Sequence, residues 1–203
     1  YLGIRPEIGL PKALERVATL DRAALGGYVG RHISGVGIMA GASGQDIDAG
    51  PLPAAQFQQL LELVALQSDA QLATPTVRGT PRWLDEAASV AVIQARHIVL
   101  VLQQTVGNVQ NASRLYRLLT RQLGIPKERI VVVLNRFARR SAVETVDVER
   151  ALACEDIIEM PNDYEMVRSS LDAAVPLSER RSTIGKSLEV LSSRIGGPPV
   201  DAK

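Results

Sequence analysis

The chain has 203 residues, of which 46% are hydrophobic and 22% charged, a composition that is typical of a globular protein and excludes a disordered one. It carries 23 basic against 22 acidic side chains, and the net charge of +1 excludes a global field that would draw the protein onto nucleic acid or anionic lipid. Nucleic acid is therefore not expected as a partner. The basic doublets Arg139-Arg140 and Arg180-Arg181 are interpreted as solvated loop features, with a local contact to acidic lipid, a partner or DNA phosphates as the alternative.

The single cysteine and the lack of long apolar runs bear on location. Cys154 alone excludes an internal disulfide framework and favours a reducing compartment, the cytoplasm. No apolar run approaches the roughly 20 residues that cross a bilayer. The sequence opens Tyr1-Leu2-Gly3-Ile4, which is typical of the interior of a domain, so we expect an upstream segment to be missing.

The first half of the chain is predicted to be mostly helical. Pro11 favours a helix over about 11–20, and Asp21 is predicted to open a second one. The apolar run Gly35–Gly41 predicts a short buried strand. Helical spacing of apolar residues predicts a helix around Phe57–Val64. A further helix is expected over Asp85–Arg96, and loops over 41–53 and 68–82.

The second half alternates strands and helices. Ile98–Leu102 and Ile130–Leu134 are continuous apolar segments, as expected of parallel strands covered on both faces. The helix between them, 109–123, is predicted to end at Gly124, which gives a right-handed crossover. A third strand is expected over Asp156–Met160, and helices over 147–153, 163–173 and 182–195. The fold class is therefore α/β, a doubly wound, mostly parallel sheet, in one domain over 1–195 with a flexible tail over 196–203.

Ligands of such sheets bind at the carboxyl ends of the strands. The residues expected there are Gln103-Gln104, Asn135-Arg136 and Pro161-Asn162-Asp163. The Asn135 amide is suited to donate to and accept from a purine edge, while the alternative is an asparagine that caps its own turn.

Other motifs carry less information. Gly185-Lys186-Ser187 matches the end of the phosphate loop GxxxxGK[ST], but Arg180 stands where the first glycine is required, and the residues fit the solvated face of the last helix. The glycines of Gly35–Ala40 lie inside an apolar run, which argues against a dinucleotide fingerprint. His32 and His97 lack partners at metal-ligand spacing, so neither a metal site nor a catalytic residue is predicted. Cys154 is interpreted as a small buried side chain.

Several motifs together resemble the CpaE/TadZ group of MinD/ParA-like ATPases, from about residue 10 to residue 192. The stretches that carry the resemblance are His32–Val36, Thr80–Asp85, Gln103-Gln104 with Asn111-Ala112, Gly124–Pro126 before Val132–Arg136, Met160–Tyr164 and Ala174–Leu177.

The resemblance implies a P-loop NTPase fold, here incomplete at its N-terminus, and ATP with Mg²⁺ as cofactors. On the matching positions, Asn135 would contact adenine, with Arg136 beside it among the nucleotide-binding residues. Pro161-Asn162-Asp163 would border the base, and Pro81-Arg82 would form the switch turn. It further implies a homodimer that works with the pilus secretion ATPase and the inner-membrane pilus machinery in assembling tight-adherence (Flp-type) pili. The implied location is the cytoplasm, peripheral to the inner membrane or at a cell pole.

Two departures from the family pattern predict an ATPase-deficient protein. The phosphate-loop unit does not occur in the sequence, and Gly79 stands where the family has the aspartate of its Asp-x-Pro-Arg strand end. Pro75 also interrupts that strand. Truncation, decay and a frame error in residues 68–80 all remain open as the cause.

Two other function classes remain open. The first is an active MinD/ParA-like ATPase that positions or partitions cargo, with its phosphate loop encoded upstream. The second is an unrelated doubly wound enzyme, such as a receiver or a small-molecule transferase. It would need clustered acids or a nucleophile at the strand ends, which the sequence does not offer.

Overall fold

The computed structural model describes residues 9–32, 35–40, 53–65, 86–177 and 182–196. The chain divides into two compact units, Tyr1–Gln94 and Ala95–Lys203. The predicted single domain over 1–195 and tail over 196–203 stay predictions. The switch-turn residues Pro81 and Arg82, and the whole loop predicted over 68–82, lie outside the described residues.

The first unit is mainly helical. Its elements are α1 Leu10–Glu15, α2 Arg22–Leu25, β1 Gly30–Arg31, β2 Gly37–Ile38, α3 Ala54–Ala65 and α4 Glu86–Gln94. Helix α2 begins after Asp21, as predicted, because the Asp21 carboxylate accepts a hydrogen bond from the Ala24 amide at 2.7 Å. The hydrophobic core of this unit is formed by Ala13, Leu14, Val17, Leu25, Phe57 and Leu60.

The strand predicted over Gly35–Gly41 is shorter and more exposed than expected. Only Gly37–Ile38 is extended in a ladder, paired antiparallel with Gly30–Arg31, and Val36 is 48% exposed. A Cβ on Gly37 would lie 2.7 Å from Val29 Cγ1. The glycine here therefore permits a close approach to Val29, whereas the sequence pattern suggested a buried strand.

The second unit is an α/β layer structure. Its elements are β3 Ile98–Leu102, α5 Val106–Arg117, β4 Ile130–Phe137, α6 Thr145–Leu152, β5 Ile157–Pro161, α7 Tyr164–Asp172 and α8 Thr183–Gly196. The three strands form a parallel sheet in the order β3-β4-β5. The predicted strand, helix, strand alternation is confirmed.

Helices cover both faces of this sheet. One face packs against α8 in a cluster of Val99, Val131, Val133, Ile158, Met160, Leu191 and Ile195. Successive strand residues point to opposite faces, so Val132 and Leu134, both fully buried, lie on the other face. Helix α5 contacts β3 and α6. Burial of each large apolar side chain on either face of the sheet stabilises the fold by about 1.5–3 kcal/mol relative to leaving it exposed.

The end of α5 fixes the start of β4. The helix continues as a wide π turn over Leu118–Gln122, in which the Leu123 amide donates to the Leu118 carbonyl at 3.0 Å. Gly124 then adopts a φ of 64°, in the left-handed region that glycine tolerates without strain. The predicted helix stop at this glycine is confirmed.

Candidate functional site

Strand β4 extends beyond its neighbour β3 at the carboxyl edge of the sheet. The last pair between them is Leu102 with Leu134, whereas β4 continues to Phe137. On its other side β4 stays paired with β5, Asn135 opposite Met160 and Phe137 opposite Pro161. The sequence predicted that β4 ends at Leu134, so the extension that carries Asn135 and Arg136 was missed.

A bulge lies within this extension. The β4–β5 register shifts between Asn135 and Phe137, and the intervening Arg136 has a φ of 54°. The Arg136 amide donates to Asn135 Oδ1 at 2.9 Å. Positive φ is uncommon in non-glycine residues, and bulges often adjust side-chain direction beside functional sites. The bulge leaves Arg136 exposed and Asn135 half-buried.

The Asn135 amide supports its own turn, which is the alternative that the sequence left open. Its Oδ1 accepts from Arg136, while within the described part of the chain Nδ2 has no hydrogen-bond partner. The contact to adenine stays a prediction, with Nδ2 as the atom that can donate to it.

The residues after β5 lie at the same edge. Pro161 is the last residue of β5, and the Asn162 amide donates to the Phe137 carbonyl at 3.1 Å. Asp163 caps α7, because its Oδ1 accepts from the Met166 amide at 3.1 Å. The structure therefore brings Asn135, Arg136 and Pro161–Asp163 together at one edge, with one oxygen of the Asp163 carboxylate capping the helix.

Gln104 has a role that the sequence did not reveal. Its Nε2 donates to the Val143 carbonyl at 3.1 Å, and its Oε1 accepts from the Ala138 amide at 2.7 Å. The Ser141 hydroxyl donates to the Gln104 carbonyl at 3.5 Å. The sequence placed Gln104 at a strand end, but its partners lie 34 and 39 residues away and leave no local pattern.

The segment that imitates a phosphate loop is helical, as predicted, but the predicted solvated face holds for Lys186 alone, because the helix packs on the sheet at Gly185 and Ser187. Gly185 is buried and Lys186 exposed within α8. Ser187 donates its hydroxyl to the Glu159 carbonyl of β5 at 2.9 Å. These residues attach a helix to the sheet and do not form a backbone cradle for phosphates.

A groove lies at the opposite, amino-terminal edge of the sheet, where Tyr116 and Cys154 meet. Tyr116 is 3% exposed, and burial, followed by the contact with Cys154, raises the pKa of its hydroxyl above the ordinary value. Cys154 is half-buried, less than predicted, and its thiol lies 3.6 Å from the Asp156 carbonyl. The residues predicted for the nucleotide site lie at the other edge.

Charge at the carboxyl edge is basic. Arg136, Arg139 and Arg140 are exposed, and in the described ranges none of them forms an ion pair. Over the same ranges, no three His, Cys, Asp or Glu side chains cluster closely enough to hold a metal ion. No helix in the described ranges combines the length and apolarity needed to span a membrane.

Comparison with known proteins identifies the fold. No protein-family model matches the sequence, and no curated protein matches it either. Among solved structures, a ParA family ATPase from Chlorobium tepidum TLS superposes with a TM-score of 0.75 at 16% identity, over 95% of this chain and 76% of that one.

The cell division ATPase MinD from Pyrococcus furiosus superposes with a TM-score of 0.63 at 15% identity, over 94% of this chain and 76% of that one. The chain has the ParA/MinD fold. The predicted α/β, doubly wound, P-loop NTPase-like class is thereby confirmed. At these identities the likeness extends to the fold and no further. In the ParA/MinD fold of this chain, the carboxyl edge of β4 and β5 remains the candidate site.

Proposed function

We propose that the chain binds an adenine nucleotide at the carboxyl edge of β4 and β5. We further propose that it acts as a CpaE/TadZ-type localisation protein in the assembly of tight-adherence (Flp-type) pili. The motif set over about residues 10–192 and the ParA/MinD fold support this function together.

One observation carries the nucleotide site. Asn135 pairs with Met160, and Phe137 with Pro161, so the Asn135 amide and the turn Pro161–Asp163 share one edge of the sheet. An amide that can both donate and accept suits the edge of adenine, which offers a ring-nitrogen acceptor beside an amino donor. Pro161 and the stem of Asn162 would border the face of the base.

Binding without hydrolysis is the form of this function that the chain favours. The sequence contains no complete GxxxxGK[ST] motif, and Gly79 replaces the aspartate expected at the switch strand. One oxygen of the Asp163 carboxylate, Oδ1, caps α7. We propose that a second copy of the chain and the inner-membrane pilus machinery, including its secretion ATPase, are the partners.

Equilibrium binding of a fluorescent ATP analogue tests the site. We expect Asn135→Ala to weaken binding at least about tenfold, which corresponds to the loss of about 1.4 kcal/mol. Asn111→Ala, at an exposed position on α5, is the matched control and should bind like the native chain. Equal binding by all three proteins, or no binding by the native chain, would refute the nucleotide site.

The pilus role has a separate test. Affinity capture with the native chain should recover the pilus secretion ATPase or inner-membrane pilus components from cells that express tight-adherence pili. Capture that recovers none of them, under conditions where the ATP analogue binds, would refute the pilus role and leave the nucleotide site intact.

An active ATPase that positions or partitions cargo is the second candidate. Both superposable structures are named as ATPases, which favours it. It requires a phosphate loop of the GKGGxGK[ST] type, so a genomic reading frame that continues upstream into such a segment would support it. Phosphate release by that longer protein, abolished by Asn135→Ala, would establish hydrolysis.

A further inference from the structure

The extension of β4 past β3 leaves a gap on one side of the candidate site. Residues 135–137 have β5 beside them, where the Asn162 amide donates to the Phe137 carbonyl. On the β3 side the strand ladder has already ended, at Leu102 opposite Leu134. The backbone that follows the bulge therefore has no strand partner on that side.

The Gln104 side chain fills this gap. Its Oε1 accepts from the Ala138 amide at 2.7 Å, directly after the end of β4. Its Nε2 donates to the Val143 carbonyl at 3.1 Å, directly before the residue that caps α6. One side chain thus closes both ends of the loop 138–143, and Ser141 adds a third contact to the Gln104 carbonyl.

A primary amide is suited to make both bonds at once. Glutamine offers a donor and an acceptor on one planar group, whereas glutamate has two acceptors and methionine neither. Asparagine carries the same group but is one methylene shorter. Gln104 is half-buried, so its bonds are partly shielded from competition with water.

The bulge makes this support relevant to the site. Arg136 has a φ of 54°, a conformation that non-glycine residues keep only where the surroundings impose it. Asn135 Oδ1 accepts from the Arg136 amide, so the direction of the Asn135 amide depends on the bulge. The backbone that follows is held by the Asn162 amide on one side and by Gln104 on the other.

We propose that Gln104 is a positioning residue for the nucleotide site: it holds the end of β4 so that Asn135 Nδ2 points at the base. This inference rests on the proposed nucleotide binding. Gln104 itself does not contact the nucleotide and acts through the Ala138 amide. The loop 138–143, with Arg139 and Arg140 exposed, is ordered by the same side chain.

Two measurements on the full chain test this role. The first is hydrogen exchange of the Ala138 amide without nucleotide, compared between the native chain, Gln104→Met and Gln104→Glu. Methionine should raise the exchange rate at least about tenfold, the equivalent of losing about 1.4 kcal/mol of protection. Glutamate keeps an acceptor for Ala138, so protection of that amide should be largely retained.

The second measurement is affinity for the fluorescent ATP analogue. Gln104→Met should weaken binding of the analogue about three- to tenfold. Gln104→Glu should keep most of the native affinity, as it keeps most of the native protection of the Ala138 amide. Gln110→Met, at an exposed position on α5, is the control and should change neither quantity. If the methionine variant does not fold, Gln104→Asn, whose amide is one methylene shorter, replaces it and should show the same two losses.

The outcomes separate the two proposals. If the native chain binds the analogue, Asn135→Ala abolishes binding and Gln104→Met binds like the native chain, the positioning role is overturned and the nucleotide site stands. If the native chain does not bind at all, the proposed function fails and the positioning role fails with it. If the variants that bind the analogue more weakly are also those in which the Ala138 amide exchanges faster, the nucleotide site and the positioning role are both supported.

Discussion

Removal of the Asp163 side chain should destabilise α7 by a predictable amount. Asp163 Oδ1 accepts from the Met166 amide at 3.1 Å, which satisfies one of the four unpaired amides at the start of the helix. Loss of such a cap costs about 0.5–2 kcal/mol. Asparagine keeps the acceptor and loses only the charge at the helix N-terminus, worth about 0.3–1 kcal/mol. For a chain of 203 residues, 1 kcal/mol lowers the Tm by about 2–4 °C.

Thermal unfolding followed by circular dichroism measures this difference. Asp163→Ala should lower the Tm by about 1–8 °C, and Asp163→Asn by less. Asp172→Ala, at the other end of α7, is the control: it removes an exposed ion pair with Arg168 at 3.7 Å and should change stability by less than about 0.5 kcal/mol. An asparagine variant as unstable as the alanine variant, or an alanine variant as stable as the native chain, would refute the capping role.

Three further outcomes follow from burial and contacts. Leu134→Ala, at a fully buried position of β4, should cost about 2–5 kcal/mol in denaturant unfolding, whereas Val190→Ala, at a position that is 53% exposed, should cost less than about 0.5 kcal/mol; equal costs would contradict the core assignment. Ser187→Ala should lose about 0.5–1.5 kcal/mol of stability, and neither it nor Lys186→Ala should change affinity for the ATP analogue; a loss of affinity would return these residues to a phosphate site. Burial raises the pKa of Tyr116, so the unfolded chain gives up this proton first and the native chain should lose stability as the pH rises above about 10. Tyr116→Phe should remove that part of the pH dependence. If the free energy of unfolding falls as steeply above about pH 10 in Tyr116→Phe as in the native chain, the raised pKa of Tyr116 is contradicted.

Continuous apolar strands made much of the second unit predictable. Ile130–Leu134 has no polar alternation because all five residues are buried between helices on both faces of the sheet, whereas in Ile98–Leu102 the predicted cover is incomplete and Val101 is 56% exposed. Gly124 marked the end of the preceding helix because the chain there takes a φ of 64°. Asp163 was placed at the edge of the site from its position after the third strand, and it lies there.

Features that depend on distant partners were not predictable. The end of β4 lies at Phe137 instead of Leu134 because β5 and Gln104 supply hydrogen bonds that no local pattern encodes. Gly37 was taken as part of a buried strand, whereas it allows a close approach to Val29. The bulge at Arg136 was not predictable for the same reason, because the positive φ of Arg136 accompanies a register shift between β4 and β5.

The central claim is that Asn135 Nδ2 donates to an adenine nucleotide at the carboxyl edge of β4 and β5. Its most direct test is a nuclear magnetic resonance titration of the isotope-labelled chain with ATP, followed at the side-chain amide of Asn135. The account predicts saturable shifts of the Asn135 side-chain signals and of the Asn162 backbone amide, and the Asn162 shift should need at least about tenfold more ATP in Asn135→Ala. Unchanged Asn135 signals, or shifts that cluster around Tyr116 and Cys154 at the opposite edge, would contradict it.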